Sequence, residues 1–268
     1  MIARVSEGLS ANPLPHHSTI QVLEEGAMKP VCRLLLVSAF ALILAHPLTI
    51  SGQWNRKPYT EWSEKEAMKL LNDSPWGQTH TFTDMSKSFS TGPGSNPTAR
   101  TTPSADASVR NVHIRVRFLS ARPVREAFAR MIELNQKGKI PEQFAAQLTA
   151  FVARGFNDYV VVAVDCDSAE SKEELQQVRA LLNNRSTADL KNNTYLQSGI
   201  QKVFLEDYQS PQSDGLGARL AFPRLVEGRP WLTSENVDIH FHSEMSATYK
   251  LDTRHKVRDM IYQGKLEY

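Results

Sequence analysis

Cysteine is nearly absent from this chain. Its 268 residues hold two, Cys32 and Cys166, which rules out the disulfide framework that staples many small secreted domains. Charge of a dominant sign is also missing: 31 lysines and arginines face 29 aspartates and glutamates, for a formal net charge of +2. Acids and bases are mixed along the whole length, whereas a dedicated nucleic-acid binder gathers Lys and Arg on one face. No nucleic acid is expected as a partner. Sequence signatures of chemistry are lacking too. There is no Gly-x-Ser-x-Gly elbow, no phosphate-binding Gly-Lys-Ser/Thr loop, no His-Glu-x-x-His and no Cys-x-x-Cys, so no familiar nucleophile, nucleotide or zinc motif is legible and no cofactor is indicated. Gly92–Pro93–Gly94 and Gly215–Leu216–Gly217 are too short to count as phosphate loops, and the second precedes a strand-like segment instead of a helix.

What is present begins with a single apolar run. Leu34 to Ala45 reads LLLVSAFALILA, without a charge, behind Lys29 and Arg33. The next charged residue is Arg56. A basic flank followed by a short apolar run is the pattern of a secretory signal peptide, and the run is well below the ~20 residues of a comfortable bilayer span. Pro47 interrupts it, and Thr49, Ser51 and Gly52 offer small residues for cleavage. Upstream, Glu7, Glu24 and Glu25 place acids where a leader carries bases. The reading is an upstream over-extension at 1–27 and a signal peptide at 28–53, with an N-terminal membrane anchor as the alternative. Export to the periplasm or the outside follows, with Cys166 the one thiol left after cleavage.

Residues 54–77 predict a short N-terminal helical segment. Ser63 and Glu66 have capping-box spacing, Trp62, Met68, Leu70 and Leu71 form an apolar side, and Asn72 to Pro75 stop the helix. The stretch from Lys57 to Trp76, with its helix ending Leu-Asn-Asp-Ser-Pro-Trp, resembles the opening of an uncharacterised family of bacterial secreted proteins. The terminal DMIYQGKLEY (259–268) is similar to the end of the same proteins. The resemblance covers the two ends of the mature chain and implies export, with no catalytic residues attached. Residues 78–108, rich in Ser, Thr, Gly, Pro and Asn, predict a flexible linker.

The remainder, 109–268, reads as one α+β domain. Val112, Ile114, Val116 and Phe118 alternate with His113, Arg115 and Arg117, a strand with one buried face. Helices are predicted from Pro123 to Gly138, from Pro141 to Gly155 and from Ser171 to Asn184, each with an apolar stripe at helical spacing. Between them DYVVVAVDC (158–166) is a continuous apolar run, as in an interior strand covered on both faces. Later strands are predicted at 195–207, 216–222, 236–242, 247–251 and 256–262. Early helices and late strands predict α+β, with three early helices packed on a mixed, mainly antiparallel sheet.

Two groups of residues invite a chemical reading. Asp238, His240, His242 and Glu244 alternate along one strand and so share a face. Two imidazoles at i and i+2 chelate zinc or a similar metal when a third ligand, Glu244 or a neighbouring His255, completes the set. The same alternation is also what a solvated strand face requires, with Val237, Ile239 and Phe241 beneath it. Asp165, Cys166 and Asp167 close the apolar strand, where sheet proteins often carry active groups. Flanking carboxylates oppose thiolate formation at Cys166, and Asp167 or Ser168 is available as a helix cap. Trp54, Trp62, Trp76 and Trp231 read as hydrophobic anchors or, in an extracellular setting, as sugar-stacking surfaces. The favoured functional expectation is a non-catalytic envelope or interaction module, its partner an unidentified protein or envelope component and its contact surface the β-rich half. The alternative is a metal-dependent extracytoplasmic enzyme built on His240 and His242.

Overall fold

A computed structural model describes residues 53–84, 110–137, 139–169 and 171–268. The upstream stretch 1–27, the expected leader up to residue 52, linker residues 85–108 and the helix-stopping Gly138 lie outside the described residues.

Helix α1 (Glu64–Asn72) begins as its capping box dictates. Ser63 Oγ accepts from the Glu66 N–H, and the Glu66 carboxylate accepts from the Ser63 N–H at 2.8 Å. Lys57 and Ser63 together hold the Glu66 carboxyl down to about 2. Ala67, Leu70 and Leu71 are buried, while Met68, expected on the same side, is 37% exposed. The Ser-Pro-Trp stop works through Ser74. Its hydroxyl donates to Leu70 O at 2.5 Å and accepts from the N–H groups of Trp76 and Gly77, both at 3.1 Å.

The chain then enters β1 (Asp73–Ser74) and β2 (Gly77–Asp84), which corrects the expectation of a linker from residue 78. Strand β2 pairs antiparallel with β3 (Arg110–Phe118) from Gly77↔Arg117 to Asp84↔Arg110. The Thr-rich composition hid a strand pattern: Thr79, Thr81 and Thr83 are β-branched and alternate with Gln78, His80 and Phe82. The N-terminal helix is therefore wired directly into the main sheet.

Next come α2 (Arg122–Asn135), α3 (Glu142–Ala153), β4 (Tyr159–Asp167), α4 (Lys172–Asn184) and the single turn α5 (Thr187–Leu190). Ser171 caps α4 by accepting from the Glu174 N–H, as the Ser171–Glu174 spacing predicts, so Asp167 and Ser168 are not its caps. Strands β5 (Thr194–Ser198), β6 (Gln201–Phe204) and β7 (Asp207–Gln209) divide the single strand expected at 195–207. They are followed by β8 (Ala218–Pro223), β9 (Leu225–Val226), β10 (Arg229–Pro230), β11 (Asp238–Glu244) and β12 (Lys250–Lys256). A short hairpin, β13 (Ile261–Tyr262) and β14 (Lys265–Leu266), ends the fold. Strand β12 spans the gap between two segments expected to be separate, because Leu251, Thr253 and His255 alternate inward across it.

The α+β class is borne out, with one change: two principal sheets exist where one mixed sheet was expected. The first runs β1-β2-β3-β4-β8-β7 and the second β12-β11-β5-β6, with every described pairing antiparallel. The apolar run of β4 reflects its central place between β3 and β8. One face of the first sheet meets α1 and α2 through Arg117, which donates to Leu71 O and Asn72 Oδ1 and lies over the Phe128 ring. The other face meets the second sheet through Phe118–His255 and Phe222–Phe241 edge contacts, and α4 through Tyr208. No helix among the described residues is long and apolar enough to cross a membrane.

The two stretches behind the family resemblance also touch. Trp76 Nε1 donates to Glu267 O at 2.8 Å, and the Trp76 and Tyr262 rings meet edge to face at 6.1 Å.

Candidate functional site

The histidine strand is assembled only in part. Asp238, His240, His242 and Glu244 share the half-exposed face of β11, as alternation requires. His255 sits one strand away but points the opposite way, opposite Ile239 in the register. It is 1% exposed, with Nδ1 2.8 Å from Pro75 O and Nε2 3.0 Å from Thr253 Oγ1. Burial first, then neighbouring His80 and His240, pushes its pKa down to about 4. His255 is thereby removed as a third ligand, because inward and outward positions on adjacent strands do not share a face. The remaining groups are engaged pairwise. His242 Nδ1 is 3.1 Å from Asp252 Oδ2 and its ring stacks on Tyr195 at 4.8 Å. Arg254 donates to Asp238 at 2.9 Å, with His240 Nε2 3.5 Å from the other carboxylate oxygen. Lys250 donates to Glu244 at 2.8 Å and lowers that carboxyl's pKa. Among the described residues no three His, Cys, Asp or Glu side chains are grouped to hold a metal ion. Val237, expected beneath the face, is instead 80% exposed.

The end of β4 is an ion-pair network. Arg115 reaches Asp165 at 3.6 Å and also pairs with Asp167, and Arg117 reaches Asp165 at 3.7 Å. Cys166 points to the other face and is 3% exposed. Burial, reinforced by Asp165, pushes its thiol up to about 11, well away from the thiolate a nucleophile needs. The four tryptophans are 1–8% exposed and serve as core anchors, so none offers a face to a sugar. Gly217 is structural: its φ is +85°, and a Cβ there would meet Val164 O at 2.4 Å.

A developed concavity lies elsewhere. A cleft of about 630 Å³ opens between the start of α2, the end of α3, the loop 154–157 and β14. Arg122, Arg125, Arg154, Arg224 and Lys265 line it, and Glu267 is the one acidic side chain among its described lining residues. Arg125 forms its floor. It is 4% exposed and donates to the carbonyls of Leu119, Ser120 and Val152, while burial lowers its pKa to about 10. The Phe156 ring lies between two guanidiniums, with Arg125 5.0 Å and Arg154 5.1 Å from its centroid. Arg224 stacks on Tyr268 at 4.1 Å and also donates to Tyr268 O. Arg122 is neutralised by the buried Glu126, 2.9 Å away, whose other oxygen accepts from Tyr262. Glu267 accepts from the Arg122 N–H at 2.8 Å, so a carboxylate occupies the positive end of α2.

Sequence reasoning missed this cleft. Its cations come from four separated segments, each with ordinary local charge, and only the fold gathers them. Pro123 at the start of α2 and Gly155 after α3 were the legible signals, and both were read as helix punctuation alone.

No family model matches the chain, and neither a curated protein nor a solved structure matches it.

Proposed function

We propose that this chain is an exported protein that acts in the periplasm or outside the cell as a non-catalytic envelope or interaction module, with the basic cleft as its binding surface. The cleft carries the reading. It has the volume of a ligand site, a surplus of cations and aromatic walls in Tyr59, Phe156 and Tyr268. Among the described residues no His or Cys lines it, and its two aliphatic hydroxyls serve the backbone. Ser120 Oγ accepts from the Val161 N–H at 3.0 Å, and Thr149 Oγ1 donates to Ala145 O at 3.0 Å. A nucleophile with an adjacent base, the minimum for covalent or acid–base chemistry, is not assembled there.

Export is supported by the basic flank and apolar run at 29–45 and by the likeness of both ends of the mature chain to secreted proteins. Cell fractionation followed by N-terminal sequencing tests it. Material outside the cytoplasm is expected to begin within residues 46–54, just past the apolar run. An N-terminus before Leu34 would contradict cleavage of the leader, and protein confined to the cytoplasm would contradict export.

A further inference from the structure

We infer that the basic cleft binds a small organic oxyanion, a molecule bearing phosphate or carboxylate groups on an apolar or aromatic frame. The inference rests on the cleft being the binding surface and names the chemistry it selects.

Its five cations are not equivalent. Arg125 is committed to three main-chain carbonyls and Arg122 to Glu126. Arg154 and Lys265 are exposed and make no ion pair among the described residues. The Arg154 guanidinium lies over the Phe156 ring, 5.1 Å from its centroid, and its N–H groups make no hydrogen bond or ion pair among the described residues. Those N–H groups are the fork that fits a carboxylate or phosphate. Arg224 lies over the Tyr268 ring and already donates one N–H to Tyr268 O, while its Nε is buried without a hydrogen-bond partner among the described residues. A buried donor left unmatched is costly, which favours an incoming acceptor. The chain itself demonstrates the preference: Glu267 already places a carboxylate on the first N–H of α2, beside these cations. A ligand would set its oxyanion against Arg154, Arg224 and Lys265 and its frame against Phe156, Tyr59 and Tyr268.

Titration calorimetry on the purified mature protein, with inorganic phosphate and with citrate as probes, tests this. Saturable binding of at least one probe is expected, weakened by added sodium chloride. Binding of phosphate alone assigns a phosphate ligand, and of citrate alone a polycarboxylate. The variant Arg154→Gln/Lys265→Gln alters only exposed side chains, and its circular dichroism is expected to match the wild type. It is expected to weaken binding roughly tenfold or more, since each lost contact is a charge-assisted hydrogen bond. No saturable binding of either probe, or equal binding by the variant, would overturn the site. Hydrolysis of phenyl phosphate, added as a third probe, would contradict the non-catalytic reading while leaving the site intact.

Discussion

At Gly217 the backbone turns with φ +85° directly over β4, and an added Cβ would lie 2.4 Å from Val164 O and 2.9 Å from Asp165 Cβ. Gly215, two residues earlier, has φ +75° but open space around it. Gly215→Ala is therefore expected to cost only the conformational penalty, about 1 kcal/mol. Gly217→Ala adds a backbone clash and is expected to cost about 3 kcal/mol or more. Urea denaturation of the two variants measures the difference, and equal losses would contradict the contact. A second residue-scale test concerns Arg117, which is 4% exposed and joins α1 to β4 through Leu71 O, Asn72 and Asp165. Desolvation lowers its pKa to about 10, so it stays charged at neutral pH. Arg117→Met would leave the Leu71 carbonyl and the Asn72 amide oxygen without their donor and Asp165 to Arg115 alone, and is expected to destabilise by about 2–4 kcal/mol. A midpoint shift below about 1 kcal/mol would show that the network is dispensable.

At the scale of elements, β12 and the turn after α1 are coupled through His255 and Pro75 O. The groups facing this imidazole are Gln78 and His80 of β2, Thr253 of its own strand, Phe118 of β3 and, more distantly, His240 of β11. Its pKa is about 4 in the fold against 6.5 ordinarily, so between those values the unfolded chain is protonated and the folded chain is not. Stability is full above pH 6.5 and is lost as pH falls towards 4. His80, also lowered by burial, adds in the same direction. Denaturation curves at pH 7.5 and 4.5 are expected to differ by roughly 2–3 kcal/mol from His255, and His255→Gln is expected to flatten that part of the slope. An unchanged slope would show that the buried imidazole is not its source.

The elements themselves were unevenly legible. Capping and periodicity placed α1, α2, α3 and α4, because caps and apolar stripes are local. Strands β3, β4, β8 and β11 were legible by alternation or by an apolar run. Strand β2 was hidden because its Thr-Gln-His composition resembles loop. The split of 195–207 was hidden because the turn between β5 and β6 is only Gly199, with φ +56°, and Ile200, inside a strand-like stretch. The direction of His255 was not legible, since the expected break between 251 and 256 concealed its pairing with β11.

On the scale of the whole molecule, function follows from which distant segments the fold brings together. The histidine face was readable from the seven residues Asp238–Glu244 and is a set of cross-strand pairs. The cleft was unreadable, since it joins residues from 59 to 268 that have no pattern in common. Two sheets packed face to face, with α1 and α2 outside the first, place the last hairpin beside the start of α2. Tyr59 from near the start of the described chain and residues 265–268 from its end thus line one cleft.

One comparison separates the cleft from the histidine strand most directly: the thermal midpoint of the mature protein with and without phosphate or citrate, in wild type, Arg154→Gln/Lys265→Gln and His240→Gln/His242→Gln. Ligand binding raises the midpoint by mass action. Oxyanion-dependent stabilisation is expected in the wild type and the histidine variant, and lost in the cleft variant. Stabilisation that survives the cleft changes and disappears with the two histidines would contradict the account.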